Sequence, residues 1–170
     1  MENKKIGFTI GKFAPLHKGH QLLIETAIKE MDDVYVVIYD TDTIGINVEK
    51  RAKWLKELYP SIHIIYAFNS PKQYGLDEKS VKIQMEYLSE KIQGIPVTHF
   101  YSSEPYGEKV AEYLNIENRI VDIEKKRVPI DATAIRNACE KNKKYMEDIV
   151  YYDYVKELEN ERYKIWKISK

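Results

Sequence analysis

The chain of 170 residues has a single cysteine, Cys139, and no excess of either charge, with 27 Lys and Arg residues against 27 Asp and Glu. One thiol excludes an intramolecular disulfide and a cysteine-rich zinc site, and it fits a reducing compartment. A formal net charge of zero gives no overall positive field, so we predict no nucleic acid polymer and no membrane as a partner. Any anionic ligand must therefore be held by a local cluster of donors.

The sequence also lacks long apolar runs, internal repeats and Pro/Gly-rich linkers. The apolar stretch at residues 6–10 is too short for a signal peptide or a membrane span, and we predict a cytoplasmic protein. With 44% hydrophobic residues the chain can build a sizeable core. We predict one domain over residues 1–170, with a core over about 5–140 and a helical tail over about 141–170. The tail is rich in tyrosine, which leaves open whether it covers the core or forms a subunit contact in a homo-oligomer.

Short apolar runs alternate with segments of helical spacing along the chain. The runs are β-branched or aromatic and predict five strands, Ile6–Ile10, Val34–Tyr39, Ile62–Phe68, Val97–Tyr101 and Arg119–Ile123. Another helix is predicted from about Asp131. Alternating strands and helices predict an α/β fold, a Rossmann-like, doubly wound, five-stranded parallel sheet with helices on both faces. Ligands of such a sheet bind at the carboxyl ends of the strands, near the topological switch point.

The segment from Gly11 to His20 leaves the first predicted strand and opens a helix, a position where free backbone amides bind phosphate. Its pattern is Gly-x-Phe-x-Pro-x-His-x-Gly-His. His17 and His20 lie three residues apart, so both imidazoles can project toward an anion at the start of the helix. Two alternatives are an amphipathic-face role for His20 and half of an H-x-x-H metal site. Partners for a metal are absent from the pattern, and we predict no metal bound by the protein itself.

These residues resemble the HxGH-signature nucleotidyltransferase superfamily, and within it the nicotinamide-mononucleotide (NMN) adenylyltransferase domain of NadR-type proteins. Four blocks carry the resemblance, at residues 11–20, 48–55, 101–107 and 127–136. The superfamily's second signature, I-S-x-T-x-I-R, is matched at Ile130, Thr133, Ile135 and Arg136, but Asp131 stands where the family has Ser. A carboxylate at this position could cap the following helix or repel a triphosphate.

The resemblance implies an enzyme of NAD biosynthesis that transfers AMP from ATP to NMN by direct in-line attack, giving NAD⁺ and pyrophosphate, with Mg²⁺ accompanying ATP. It implies that His17, His20 and Arg136 act on the phosphates. Its implied nucleotide-binding residues are Gly11, Lys12, Phe13, Gly19, Ser102, Ser103, Glu104, Tyr106, Gly107, Arg127, Thr133 and Ile135. The alternatives are an adenylyl- or cytidylyltransferase with another phosphate-bearing acceptor, and a non-catalytic nucleotide sensor. A P-loop kinase is excluded because no G-x-x-x-x-G-K-[ST] motif occurs.

Fewer residues in the sequence point to the binding site of the acceptor. Phe68 and Tyr74 follow the third predicted strand and are candidates to stack on a nicotinamide ring. In the block at residues 48–55, helical spacing favours packing for Trp54 and a polar contact for Arg51. A plain strand-to-helix turn with Ser103 as its cap is the alternative role for residues 102–107.

Overall fold

The computed structural model describes residues 2–170 as a parallel sheet between two layers of helices. The strands are β1 (Ile6–Gly11), β2 (Asp33–Tyr39), β3 (His63–Ala67), β4 (His99–Ser102) and β5 (Glu117–Ile120). The helices are α1 (Lys18–Glu30), α2 (Val48–Leu58), α3 (Glu78–Lys91), α4 (Tyr106–Leu114), α5 (Ala132–Asn137) and α6 (Asp148–Ile168), with a 3-10 turn at Lys143–Tyr145. The strand order is β3-β2-β1-β4-β5 and every pairing is parallel. The predicted fold class is therefore confirmed.

Two hydrophobic clusters, one on each face, hold the helices to the sheet. Successive residues of a strand point to opposite faces, and β2 shows this directly: Val36 and Ile38 belong to one cluster and Val37 to the other. The first cluster includes apolar residues of α1, α2 and α6, and the second includes those of α3 and α4. Because helices cover both faces, the open crevice lies at the strand ends, where β1 separates the two directions of winding.

The helical tail covers part of the core. Val150 and Tyr154 of α6 are buried in the first cluster, and the indole Nε1 of Trp54 donates a hydrogen bond to Asp153 at 2.8 Å. The far end of α6 instead exposes Tyr163 and Trp166, so only its first half packs on the sheet. The homo-oligomer stays a prediction. No helix within residues 2–170 is both long enough and apolar enough to cross a membrane.

At the β4 and β5 ends of the sheet one strand prediction is wrong, and the alternative of a Ser103 cap does not occur. Strand β5 spans Glu117–Ile120 rather than Arg119–Ile123, because Asp122 adopts a left-handed backbone with φ of 52° and turns the chain away from the sheet. Ser103 does not cap α4, whose first flanking residue is Pro105 with no side-chain cap. The hydroxyl of Ser102 instead accepts a hydrogen bond from the backbone N–H of Glu104 at 3.0 Å and closes the turn.

Candidate active site

His17 and His20 cap helix α1 reciprocally. The ring Nδ1 of His17 accepts hydrogen bonds from the backbone N–H of Gly19 at 3.1 Å and of His20 at 3.4 Å, while Nδ1 of His20 accepts from the backbone N–H of His17 at 3.2 Å. The two rings stack with centroids 3.7 Å apart. This is a capping box built from two imidazoles, and it fixes both side chains at the start of the helix.

The same hydrogen bonds set the chemical form of the imidazoles. Burial, reinforced by the positive charge of Lys125, lowers the pKa of His17 to about 4, and burial lowers the pKa of His20 well below its ordinary value. Both rings are therefore neutral at pH 7. Since each Nδ1 accepts a backbone N–H, the proton of each ring sits on Nε2. The pair presents two neutral N–H donors rather than two cations.

Phe13 and Gly19 hold the histidine pair in place. Phe13 is buried, and its ring meets the edge of His20 with centroids 4.8 Å apart. A Cβ at position 19 would lie 2.9 Å from Cε1 of His17, so a side chain there would displace the cap. Glycine is thus required between the histidines by the ring of His17 itself.

A cavity of about 200 Å³ opens in front of the histidine pair. The end of β4 contributes Ser103 and Glu104, and the loop after β5 contributes Asp122 and Lys125. Asp131 and Ala132, at the start of α5, close the far side. The cavity therefore joins the two distant signature segments at one edge of the sheet. We call it the histidine cavity.

Asp131 caps helix α5 through a hydrogen bond that its carboxylate accepts from the backbone N–H of Ala134 at 2.7 Å, so the capping role is confirmed. Arg136 lies one turn further along, where its guanidinium donates to the carbonyl of Ala14 at 2.9 Å and to the hydroxyl of Thr133 at 3.1 Å. Arg136 thereby ties α5 to the loop after β1. The side chain of Ile135 is buried in the first hydrophobic cluster and faces away from the cavity.

A second pocket, of about 410 Å³, lies at the end of β1, and three tyrosines are among its lining residues. Gly11, Lys12 and Tyr39 form one wall, and Tyr74 and Tyr106 form others. The Lys12 ammonium lies 4.9 Å from the centroid of the Tyr74 ring. We call this the aromatic pocket. It contains Lys12 and Tyr106, which the resemblance had assigned to the nucleotide. Its Lys12 belongs to the same segment of residues 11–20 as the two histidines of the histidine cavity.

Of the two candidate stacking residues, the structure places Tyr74 in the aromatic pocket and Phe68 outside it. Phe68 is exposed and stacks on Tyr66 with centroids 5.9 Å apart. The loop that carries Tyr74 is held by Gln84, whose side-chain amide donates to the carbonyls of Pro71 at 3.2 Å and of Gln73 at 2.6 Å. Gln84 gave no signal in the sequence because its partners are backbone atoms.

Arg51 is a buried structural tie between the loops at the strand ends. Its Nε donates to the carbonyl of Ile46 at 3.1 Å, and its Nη1 donates to the carbonyls of Lys12 and Tyr39. Trp54 is buried one turn along the same helix. Packing for Trp54 and a polar contact for Arg51 therefore agree with the structure, and the contact is with backbone carbonyls.

The remaining predicted residues are spread around the two openings. Ser102 and Gly107 are buried beneath the turn after β4, where a Cβ on Gly107 would lie 2.7 Å from Cβ of Ser102. Arg127 is exposed and lines neither opening. Within residues 2–170 no cluster of three or more His, Cys, Asp or Glu side chains could hold a metal ion.

The residues that the sequence reasoning missed are in the loop after β5. Asp122 accepts hydrogen bonds from three consecutive backbone N–H groups, and Lys125 reaches the histidine cavity. In the sequence this loop, Glu124 to Pro129, is recognisable only as basic. Nothing in the sequence indicates which of its three cationic side chains faces the site.

A parallel sheet of this order, with an imidazole-capped helix after its first strand and a cavity over that cap, is the arrangement expected of the nucleotidyltransferases that the sequence resembles. Comparison with protein families makes this specific. The family of the citrate lyase ligase C-terminal domain matches residues 7–137, and the chain belongs to this family.

Two curated relatives are trifunctional NAD biosynthesis/regulator proteins NadR. The protein from Salmonella typhimurium (strain LT2) is 32% identical over 152 residues, which cover 78% of this chain and 36% of the relative. The protein from Escherichia coli (strain K12) is 30% identical over 154 residues, which cover 79% of this chain and 37% of the relative. The chain spans about a third of the length of these relatives. The predicted resemblance to NadR-type proteins is confirmed.

Solved structures share the fold. A NadR protein in complex with NAD and AMP-PNP superposes with a TM-score of 0.62 at 22% identity, covering 86% of this chain and 46% of that chain. A bifunctional NMN adenylyltransferase/ADP ribose pyrophosphatase from Francisella tularensis, complexed with AMP and Mn, gives 0.58 at 16% identity, covering 99% of this chain and 57% of that chain. The prediction of a nucleotidyltransferase is confirmed at the level of fold and family.

Proposed function

We propose that the protein transfers AMP from MgATP to the 5′-phosphate of nicotinamide mononucleotide, producing NAD⁺ and pyrophosphate. The proposal rests on one observation above the others. Two openings of different chemistry flank the same segment after β1, one facing paired imidazole N–H donors and the other lined by tyrosines. A reaction that joins a nucleotide phosphate to an aromatic nucleotide needs such a pair of neighbouring sites.

The histidine pair suits the phosphate side of this reaction. In the proposed step an oxygen of the acceptor phosphate forms a bond to the α-phosphorus of ATP, the bond from that phosphorus to its bridging oxygen breaks, and pyrophosphate leaves. His17 and His20 donate Nε2–H hydrogen bonds to phosphoryl oxygens as negative charge moves toward the leaving group. Fixed donors of this kind stabilise the transition state without reorganising during the reaction. No covalent intermediate with the protein is needed.

The metal in this reaction belongs to the substrate. Mg²⁺ bridges phosphate oxygens of ATP and demands few protein ligands. Of the carboxylates around the histidine cavity, Asp122 is engaged with backbone amides and Asp131 caps α5. We therefore propose that the ion enters and leaves with the nucleotide.

The aromatic pocket suits the base of the acceptor. The rings of Tyr39, Tyr74 and Tyr106 surround an opening of about 410 Å³, large enough for a pyridine ring and part of its ribose. We propose that the nicotinamide ring stacks on Tyr74. The relatives' names point the same way, since NadR proteins are described as acting in NAD biosynthesis.

The direct test is an assay of the full chain with MgATP and NMN, in which we expect stoichiometric NAD⁺ and pyrophosphate. Nicotinamide riboside, which lacks the attacking phosphate, is the matched negative control. Release of pyrophosphate without NAD⁺, or no reaction with any acceptor, contradicts the proposal.

The same assay separates the alternatives. A panel of nicotinate mononucleotide, phosphopantetheine, a phosphopolyol with CTP and a small carboxylate tests related transferases, the last because the family description names a ligase. Turnover with one of these and none with NMN keeps the class and replaces the acceptor. Binding of ATP without turnover of any acceptor identifies a nucleotide sensor.

A further inference from the structure

We propose that Lys125 is the cation that binds the triphosphate of the nucleotide in the histidine cavity, and that Glu104 holds its ammonium until the nucleotide arrives. This inference rests on the proposed function, because it assigns a residue to the same site. Four observations support it: the geometry of the loop that carries Lys125, the charge of the cavity, the weakness of the ion pair between Lys125 and Glu104, and the position of the neighbouring Lys126 outside the cavity.

The loop after β5 is built to present Lys125. The Asp122 carboxylate accepts hydrogen bonds from the backbone N–H groups of Lys126, Arg127 and Val128, each at 2.9 Å. These bonds hold the pKa of Asp122 below its ordinary value, so the carboxylate stays ionised and the loop stays wrapped around it. Lys125 lies at the turn, with a left-handed φ of 53° and its own N–H donated to the carbonyl of Asp122 at 2.8 Å. Its side chain lines the cavity.

The cavity needs a cation, and among the described residues that line it Lys125 is the one with a fixed positive charge. The histidines that face it are neutral at pH 7, because the low pKa of His17 keeps that ring unprotonated and His20 follows the same direction. Arg136 is outside this lining and already donates to Ala14 and Thr133. A triphosphate would otherwise meet only neutral donors and the carboxylates of Glu104, Asp122 and Asp131.

Glu104 and Lys125 form an ion pair that an anionic ligand can open. Their charged atoms lie 3.5 Å apart, and the side chains are 64% and 37% exposed, respectively. A pair with that separation and exposure is weak, because water screens both charges. A triphosphate carries several negative charges, whereas Glu104 carries one, so the triphosphate can displace the carboxylate from the Lys125 ammonium.

The neighbouring lysine provides a matched control. Lys126 is exposed and pairs with Glu124, which also lies outside the lining of the cavity. Lys125 and Lys126 share a loop, a charge and a side-chain length, and they differ in which way the side chain is directed. If only the general positive charge of the loop matters, replacing either lysine should weaken nucleotide binding equally. A direct contact between Lys125 and the nucleotide predicts weaker binding only when Lys125 is replaced.

The test measures kcat and both KM values for Lys125→Met, Lys125→Arg and Lys126→Met in the full chain. Loss of one charged hydrogen-bonding partner corresponds to about tenfold or more in affinity. We expect Lys125→Met to raise the KM for MgATP by at least about tenfold and to leave the KM for NMN within about twofold. Lys125→Arg should recover most of the loss, and Lys126→Met should match the wild type. Equal effects at the two lysines, or a rise in both KM values together, overturn the proposal.

Glu104→Gln gives a change of opposite sign. Removing the competing carboxylate frees the Lys125 ammonium, so the KM for MgATP should fall by about twofold to fivefold, in keeping with a weak exposed pair. A merely structural ion pair predicts the reverse, because both Lys125→Met and Glu104→Gln would then disturb the site in the same direction. A rise in KM for MgATP in Glu104→Gln therefore contradicts the assignment of Glu104.

A binding measurement keeps this test separate from the proposed function. Calorimetry with inorganic triphosphate as the probe needs no acceptor and no turnover, so it applies even if the acceptor is not NMN. We expect Lys125→Met to weaken triphosphate binding by at least about tenfold relative to both wild type and Lys126→Met. Unchanged triphosphate affinity in Lys125→Met overturns the inference, whereas an inactive wild type that still binds triphosphate through Lys125 overturns only the proposed function.

Discussion

Two helices, α1 and α5, begin at the same cavity, and their first turns are capped in opposite ways. Helix α1 is capped by the imidazole of His17, and helix α5 by the carboxylate of Asp131. Both caps accept backbone N–H groups, at 3.1 Å in α1 and 2.7 Å in α5. The imidazole cap is neutral and keeps one donor on its outer side, whereas the carboxylate cap is negative and has only acceptors left.

The difference shows that the choice of N-cap residue decides whether the start of a helix still attracts an anion. The cap of α1 is neutral, so it does not offset the positive end of the helix dipole. The outer N–H groups of His17 and His20 add two further donors that face the cavity. At α5 a negative cap offsets the same end of the dipole. In the proposed function the phosphates are therefore bound at α1 rather than at α5, and the following predictions test this asymmetry.

The largest effect should come from removing one imidazole donor at α1. We expect His20→Ala to lower kcat for adenylyl transfer by two to three orders of magnitude, about the loss seen when one preorganised transition-state donor is deleted. The KM for MgATP should change by much less. Steady-state kinetics with NMN as acceptor checks both values.

His63→Ala is the matched control for that variant. His63 lies on β3, half exposed, with its Nε2 3.3 Å from Asp33 and far from either opening. Its loss should leave kcat unchanged within about twofold, as for most exposed positions. If His20→Ala instead loses nucleotide affinity with no change in rate, the pair binds nucleotide without acting on it, as in a sensor.

The next effect concerns pH and the neutral state of the α1 cap. The pKa of His17 is about 4 in the folded protein and its ordinary value is 6.5, so below pH 6.5 the unfolded chain takes up a proton that the folded chain does not. The free energy of unfolding should therefore fall as pH falls, by about 1.5 kcal/mol between pH 6.5 and 5 from this group alone.

Denaturant unfolding of His17→Asn isolates that contribution. Asn is a strong helix N-cap that does not titrate, so the variant keeps a capping oxygen and removes the proton uptake. We expect its unfolding free energy to vary less steeply with pH than that of the wild type over this interval. Parallel pH dependences in the two proteins would mean that His17 titrates alike in the folded and unfolded chains, and the lowered pKa of the folded ring would then be contradicted.

Much of the fold could be predicted from the sequence because the period of apolar residues reports burial directly. The parallel sheet follows from the alternation of strands and helices, and the layer of each helix follows from its place between them. The end of β5 was missed because it depends on one carboxylate, Asp122, bonding to backbone amides of residues 126–128. A bond between a side chain and the backbone leaves no periodic pattern.

The sequence also predicted which segments form the candidate site, but not the contacts that their side chains make. The motif gave the positions of His17 and His20, but not the contact with the His17 ring that a side chain at Gly19 would make. The resemblance implied that Lys12 binds the nucleotide, but it gave no sign that the Lys12 ammonium lies over the ring of Tyr74. Side-chain direction at the end of a strand depends on tertiary neighbours that a single sequence does not show.

The smallest effect, and the one that bears most directly on the two caps, is expected for Asp131→Ser. Ser is also a good N-cap, so helix α5 should be retained and the unfolding free energy should change by less than about 1 kcal/mol. Removing a carboxylate from the lining of the histidine cavity should lower the KM for MgATP by about threefold, the size of one partly exposed, screened charge. Asp131→Asn, which also caps and is also neutral, should behave alike.

A large loss of kcat in both neutral variants would reverse the comparison between the helices. It would mean that the carboxylate cap of α5 takes part in the reaction as a partner for the metal ion of the nucleotide. The imidazole cap of α1 and the carboxylate cap of α5 would then have different roles, one toward the phosphates and one toward the metal ion. A threefold gain in both variants, with Asp131→Ala losing about 1 kcal/mol of stability to the missing cap, leaves Asp131 as a cap that weakens nucleotide binding. The affinity for the triphosphate then depends on the neutral imidazoles of α1 and on the loop that carries Lys125.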